Sequence, residues 1–414
     1  MDIDSLYAIF EQCSSVTTDS RAVAEGSLFV ALRGEKFNGN LFATKALEAG
    51  AAYAIVDEHL ADVAAEYADR VVEVEDSLAA LQSLAAEHRR RLAIPIIGIV
   101  GSNGKTTTKE LVSRVLAEQF EVYATRGNLN NHIGVPLTIL AMDKTTEFGV
   151  VEMGASAQGE IATLCSISQP NYGIITNIGN AHLEGFGGKE GIIKGKGELY
   201  DYLCANGGRA FVPEEDCLLQ LMASERKDMA TECYSRAVAE GYKSQLSGDY
   251  NRYNIAAAVA VGLYFDIAPE RIASAVESYT PDNNRSQEVV TARANTLIID
   301  CYNANPSSME VAIANIATKQ GAKLLILGDM LELGAWSEQE HSRILELATQ
   351  IAGVDIILVG DHFRRAAHSL AIDAICCKDT TEAAEFISKS RLTNTTILLK
   401  GSRGIALERL IDKL

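Results

Sequence analysis

No apolar run in the 414 residues approaches the roughly 20 that a membrane-spanning helix needs. The first residues, "MDIDSLYAIFEQ", lack the basic segment and long apolar core of a secretory signal. Both absences point to a cytoplasmic protein without membrane insertion. Positive charge is also scarce: Lys+Arg 37 against Asp+Glu 55 leaves a net charge of −18. A nucleic-acid or anionic-membrane binder needs a basic face to neutralise phosphates, so this balance argues against both. The 8 cysteines are scattered and form no C-x-x-C, and the adjacent pair Cys376 and Cys377 is badly placed for a structural disulfide. Reduced, mostly buried thiols are expected.

The length predicts two or three domains at about 150 residues each, and 47% hydrophobic with 22% charged residues suits ordinary globular cores. Short β runs, "SLFVAL", "YAIVDE" and "VVEVE", alternate with helical stretches in a small α/β unit that closes near residue 93 after the helix "SLAALQSLAAEHRRRLA". A second unit, 94–285, opens with "IPIIGIV" and continues through the strands "FGVVEM" and "YGIITNIG", then ends near "YTPDNNRSQ". The third, 286–414, holds four apolar strands, "TLIIDCYN", "KLLILGDM", "VDIILVGD" and "TTILLKGSRG". Strands alternating with helices imply mostly parallel sheets, whose ligands sit beyond the strands' carboxyl ends. Asp300, Asp329, Asp361 and Lys400 fall at or next to those ends. The third unit has no G-x-G-x-x-G opening, which argues against a dinucleotide there.

The segment "GIVGSNGKTTTKE" follows a strand and opens a helix, yet the long phosphate loop G-x-x-x-x-G-K-[ST] would need glycine at Ile99. The loop is instead the short G-x-x-G-K-T: Gly101, Ser102, Asn103, Gly104, Lys105, Thr106. Loop and helix N–H groups can cradle anionic oxygens, Lys105 brings a point charge, and the hydroxyl of Thr106 or Thr107 can ligate magnesium. Glycine turns between strand and helix are common, but a lysine followed by three threonines favours phosphate.

Glu152 and His182 each follow a strand expected to lie beside the loop's own, so both can converge on phosphate and a divalent metal. Lys194 and Lys196 lie on a helix in "GIIKGKGELYDYL", where a solvated basic face explains them equally well. Asn251 and Asn254 share one face at a helix start, where their amides could read an adenine edge or cap the helix.

These residues resemble the Mur ligase superfamily. "GSNGKTTTKE", "RGNLNNHIGVPLTIL", "EMGASAQGEI", "NAHLEGFGGKEGIIKGKGE", "DCYNANPSSM", "LGDMLELG" and "LKGSRG" look like that family's blocks in its order, from "TTDSR" to the last strand. Members use the short loop. The resemblance implies an α/β protein of three domains: a small N-terminal one for the UDP end of the substrate, a central P-loop ATPase, and a C-terminal Rossmann-like domain for the incoming group. Within the family the likeness is to members that add D-alanyl-D-alanine to UDP-N-acetylmuramoyl-tripeptide through an acyl phosphate, a step of cytoplasmic peptidoglycan synthesis.

The same resemblance implies ATP, two Mg2+ ions and a carbamylated lysine. Lys105 would stabilise phosphoryl charge, Thr106 and Glu152 would hold one magnesium, and His182 with Lys196 as its carbamate would serve a second. Asn128 and Asn131 resemble an asparagine-rich loop beside the reacting groups. Arg285 and Asp300, with Asn251 and Asn254, look like ATP contacts. Asn303, Asn305 and Ser307 would bind dipeptide or phosphate, and Ser20 and Arg21 the uridine diphosphate. A monomer is expected.

Three places depart from the family pattern. "KFNGNLF" stands where an aspartate–glycine–histidine run is frequent, so Asn38 and Asn40 depart from the pattern that implies contacts to the UDP-sugar. Cys301 replaces a frequent serine, and 204–247 shows no site. The rivals are a sister ligase or folylpolyglutamate synthase adding one amino acid, and a nucleotide switch without ligation. "NANPSSM" and "GDMLELG" favour the dipeptide-adding type.

Overall fold

The computed structural model describes residues 2–60, 64–281, 285, 287–390 and 392–414. Three sheets divide the chain. The first contains β1 (Val16–Thr17), β2 (Leu28–Val30), β5 (Tyr53–Val56) and β6 (Val71–Glu73), all parallel and in that order, beside a small antiparallel ribbon of β3 (Arg33–Gly34) and β4 (Phe37–Asn38). The helix Ser77–Leu92 leaves this layer, with the Asp76 side chain accepting from Ala79 N and Ala93 ending it in the left-handed region.

The second sheet holds β7 (Ile96–Val100), β8 (Val122–Ala124), β9 (Phe148–Glu152), β10 (Tyr172–Ile175), β11 (Arg209–Pro213) and β12 (Ala230–Tyr234) in the order β12-β11-β10-β7-β9-β8. Every pairing is parallel. Successive side chains of a strand face opposite ways, so Ile96 and Val100 join one core while Ile97 and Ile99 join the other. The second core is covered by the helices Lys105–Ala117 and Asn251–Tyr264. Burial on both faces explains why β7 reads as an unbroken apolar run.

The third sheet has the order β13-β14-β18-β15-β16-β17. Its strands are β13 (Gln287–Val290), β14 (Thr296–Asp300), β15 (Ala322–Gly328), β16 (Val354–Val359), β17 (Ile375–Cys377) and β18 (Thr395–Lys400), with only β13 antiparallel. The turn into this sheet, 282–284 and 286, where the sequence puts the end of the second unit, lies outside the described residues.

Two sequence expectations change. The stretch 204–247, where the sequence shows no site, carries β11, the helix Cys217–Ser224 and β12 and lends residues to the cavity described below. β12 alternates between half-buried and exposed positions at the sheet edge, which leaves no apolar run to read. All eight cysteines are free, as expected, but only Cys165, Cys301 and Cys377 are buried. Among the described residues no helix is long and apolar enough to cross a membrane.

Candidate active site

β9 and β10 pair with β7 on either side, so Glu152 and the loop after Ile175 flank the glycine loop at the strands' carboxyl ends. Gly101 has φ 148, and a Cβ there would lie 1.9 Å from Thr176 Oγ1. Gly104 has φ 78, and its Cβ would meet Asn254 Oδ1 at 2.6 Å. Only glycine, which has no Cβ, accepts both that backbone and that proximity. The Ser102 hydroxyl donates to Gly179 O at 2.9 Å, and Asn103 O accepts from Thr176 Oγ1 at 2.6 Å and Asn177 Nδ2 at 2.9 Å. The loop is therefore held rigid by β10's continuation.

The half-buried Lys105 turns back on its own loop, donating to Gly101 O at 2.8 Å and Ser102 O at 3.2 Å. Burial lowers its pKa, while Glu152 pulls the other way. Thr106 Oγ1 is buried with no hydrogen-bond partner. Glu152 is buried as well; Asn130 Nδ2 donates to its Oε1 at 2.8 Å, and its Oε2 has no partner. Buried polar atoms are rarely left unmatched, and one such atom costs about 1–3 kcal/mol. A hydroxyl and a carboxylate oxygen left open beside a phosphate cradle are hard donors that suit magnesium, which takes few protein ligands and completes its shell with phosphate and water. Among the described residues no three His, Cys, Asp or Glu converge.

His182 has φ 53, and its Nδ1 lies against Oε2 of Glu332 in the third sheet's loops, without the geometry of a hydrogen bond. That close approach holds the Glu332 carboxyl below its usual pKa. Lys196, on the helix Lys189–Ala205, is 1% exposed; its Nζ donates only to Ala155 O, at 3.2 Å, and lies 4.9 Å from the Phe186 ring centroid. Burial, with the Lys105 charge adding, pushes its pKa down to about 7. Lys194, the neighbour on the same helix, is exposed.

The C-terminal unit closes over the loop. Asn305 Nδ2 donates to Asn103 Oδ1 at 2.8 Å, while its Oδ1 caps the helix Pro306–Ala317 by accepting from Ser308 N at 2.9 Å. Ser307 Oγ accepts from Asn180 N at 2.7 Å. Asp300 pairs with Lys400 at 2.7 Å, and the Arg285 guanidinium lies 3.7 Å from the Tyr302 ring centroid. Between the two units lies a cavity of about 1140 Å³.

Most of the expected residues line it: Ser102 to Lys105 and Thr107 on the floor, Asn131, Glu152 and His182 beside them, Asn251 and Asn254 on one wall, and Arg285, Asp300, Asn303, Asn305 and Ser307 opposite. Asn251 and Asn254 also bond within the protein, to Ser247 O at 2.6 Å and to Asn251 Oδ1 at 2.8 Å respectively. Gly101, Thr106 and Lys196 lie beneath the lining. Asn128 is exposed and off the cavity; the asparagine that reaches Glu152 is Asn130. Ser20 and Arg21 are also outside it, and Arg21 bonds to Asp19 at 2.8 Å. Asn38 and Asn40 join Asp57 in a cluster of their own.

Sequence reasoning missed Asn130, Asn177 and Tyr302, and the run Pro213 to Cys217, which adds Glu215 and Asp216 to the lining; it placed Lys400 at a strand end without giving it a role. Lys400 had a signal, since it closes a strand of the third sheet. Pro213 to Cys217 had none, because the strand before it was not legible.

Residues 12–89, 99–240 and 284–403 match the Mur ligase family catalytic domain, the Mur ligase middle domain and the Mur ligase glutamate ligase domain. These are the parts of an ATP-coupled ligase. The UDP-N-acetylmuramoyl-tripeptide–D-alanyl-D-alanine ligase of Bacillus subtilis is 34% identical over 96% of this chain and 92% of its own. The crystal structure of MurF from Acinetobacter baumannii superposes with a TM-score of 0.88 at 30% identity, covering 100% of this chain and 98% of that one. MurF from Thermotoga maritima, solved in complex with ADP, gives 0.84 at 25% identity over 98% and 97%. The chain belongs to the UDP-N-acetylmuramoyl-tripeptide–D-alanyl-D-alanine ligases of the Mur ligase family.

Proposed function

We propose that the chain performs its family's ligation with the residues gathered at this cavity. It is an ATP-dependent ligase that joins the terminal carboxylate of UDP-N-acetylmuramoyl-tripeptide to the amine of D-alanyl-D-alanine, making the pentapeptide precursor of peptidoglycan. The carboxylate oxygen attacks the γ-phosphorus of ATP and ADP leaves. The dipeptide amine then attacks the acyl carbon, losing a proton as phosphate departs with the bonding pair.

Lys105 and the loop amides bind the β- and γ-phosphoryl oxygens. Lys105 leaves the Gly101 and Ser102 carbonyls to do so, and its charge stabilises that developing on the transferred group. Thr106 Oγ1 and Glu152 Oε2 would hold magnesium, which when bound neutralises phosphate charge; Asn130 keeps Glu152 oriented. Arg285 and Asp300 meet the nucleotide with Asn251 and Asn254, and Asn303, Asn305 and Ser307 hold the dipeptide side. Asn131 lies at the carboxylate's approach. The N-terminal domain takes the UDP end, where Ser20 and Arg21 are the assigned contacts.

Lys196 acts as its carbamate. At a pKa of about 7 a large share of its amine is neutral at physiological pH and can add to carbon dioxide with loss of a proton. The anion formed would serve with His182 at a second magnesium, whereas a buried ammonium would repel one.

The observation that carries this reading is the pair of open buried oxygens, Thr106 Oγ1 and Glu152 Oε2, under a cavity roofed by Asn305 and Ser307. The test is phosphate release from ATP and magnesium with each substrate alone and both together, with mass spectrometry of the product. Turnover only with both, yielding the pentapeptide, is expected. Turnover with a single amino acid or a folate instead would move the chain to a sister activity.

A further inference from the structure

His182 and Glu332 belong to different sheets' loops, and both carry side chains at left-handed φ, 53 and 62. Such a backbone is uncommon for glutamate, so the fold holds Glu332 in place against local preference. Three contacts fix the Glu332 side. Met330 N donates to His341 Nε2 at 3.0 Å, Leu331 N donates to Ser402 Oγ at 3.0 Å, and Leu333 is buried. The far side is just as close: a Cβ on Gly334 would press on the Glu184 side chain at 2.9 Å, and Trp336 lies against Gly188. The loop 330–336 is thus seated on the short helix Leu183–Phe186 that begins immediately after His182.

His182 lines the cavity and Glu332 does not. The carboxylate meets the imidazole at Nδ1, a buried nitrogen with no other partner, and Nε2 is the ring nitrogen it leaves free. Metal-binding histidines are commonly oriented in this way, with one ring N–H donated to a carboxylate and the other nitrogen ligating.

We infer that Glu332 is a positioning residue which, when the C-terminal domain is docked, holds His182 as the Nδ1–H tautomer and presents Nε2 to the metal and phosphate site. The inference rests on His182 being a metal ligand. It makes assembly of that ligand depend on closure of another domain, since the orienting carboxylate arrives only with the loop 330–336. An undocked C-terminal domain leaves His182 free to rotate and to change tautomer.

The test follows the ring nitrogens by NMR in protein carrying 15N-labelled histidine. The His182 signals, among those of 7 histidines, are assigned by their loss in His182→Ala. Mn2+ binding to the same proteins loaded with a non-hydrolysable ATP analogue is measured in parallel. Wild type is expected as the Nδ1–H tautomer. Glu332→Ala should shift it toward Nε2–H and weaken Mn2+ binding about 10-fold, within the range known for lost orienting partners. Glu332→Gln, whose amide oxygen still accepts from Nδ1–H, should restore the tautomer and most of the affinity. An unchanged tautomer and Mn2+ affinity in Glu332→Ala, with His182→Ala still weakening the metal, would overturn the inference and leave the ligand assignment standing. Mn2+ binding untouched in His182→Ala would overturn both.

Discussion

Carboxylates at the strand ends of the central and C-terminal sheets look alike in sequence and stand in opposite states. Asp329, one residue past β15, is saturated: its Oδ2 accepts from His362 N and its Oδ1 from Phe363 N, both at 2.9 Å. Asp300 stands between the two states, paired through Oδ2 with Lys400 yet lining the cavity. Glu152, at the end of β9, has one oxygen held by Asn130 and one open. The helix after the glycine loop repeats the contrast with two lysines: Lys109 is fully spent on Thr125 O at 2.6 Å and Glu110 at 2.7 Å, whereas Lys105 is parked on its own loop. Here the groups whose bonds are complete and that lie off the cavity belong to the framework, and the incomplete ones that border it, Glu152 and Lys105, are placed to meet a ligand.

The contrast breaks most visibly at its open members. Lys105→Ala and Glu152→Ala should each lower kcat about 10³-fold or more, the scale for losing a charge that stabilises the transition state, with a melting temperature near wild type. Near-normal turnover in either would reverse the assignment of open groups to chemistry. Lys196→Ala should lose activity on a similar scale and regain part of it with added formate or acetate, and wild type should slow when bicarbonate is removed. Insensitivity in both experiments would exclude the carbamate.

The saturated members should behave the other way. Asp329→Ala strands two backbone N–H groups at the start of the helix Asp361–Leu370 and should cost about 2 kcal/mol of stability in denaturant, while turnover of the folded protein falls less than tenfold. Asn130→Ala lies between the classes. It frees the second Glu152 oxygen and should reduce kcat about tenfold with little change in melting.

The smallest expected effect is a pH dependence in the framework. His341 is buried, with Nε2 accepting from Met330 N and Nδ1 donating to Ser337 O at 2.7 Å, so the neutral ring is fully used. Desolvation pushes its pKa down to about 4 from an ordinary 6.5. Between those values the unfolded chain binds more protons than the folded one, so stability should fall as pH drops from about 6.5 to 4. His341→Gln should flatten that acid slope in melting curves; an unchanged slope would place it elsewhere.

Many of the strands that sequence patterns exposed are buried on both faces, β7, β9, β10, β15, β16 and β18 among them, while β6 was read from a partly exposed run and the buried β11 was missed. β12 and β13 escaped because edge strands alternate partial with full exposure and show no continuous apolar run. At the site, the run "GNLNN" offers three asparagines that composition cannot rank. The turn joining Asn130 N to Asn128 O, and the bond from Gly154 N to Asn130 O at 2.7 Å, bring Asn130 rather than Asn128 to the end of β9.

The strand, glycine turn and lysine that make a phosphate cradle, and the order of motifs that marks the family, are written in the chain's own pattern. Those signals are local: a left-handed glycine, a helix start and an apolar period are each settled within a few residues. Which polar groups are spent and which are open is settled instead by what folding brings together in space. The partners that decide it, Asn103 with Asn305, Glu152 with Asn130 and His182 with Glu332, come from separate strands' loops, and in two of the three pairs from different sheets. Hydrogen bonding acts over about 3 Å of space whatever the separation along the chain, so no reading of neighbours in sequence could have paired them.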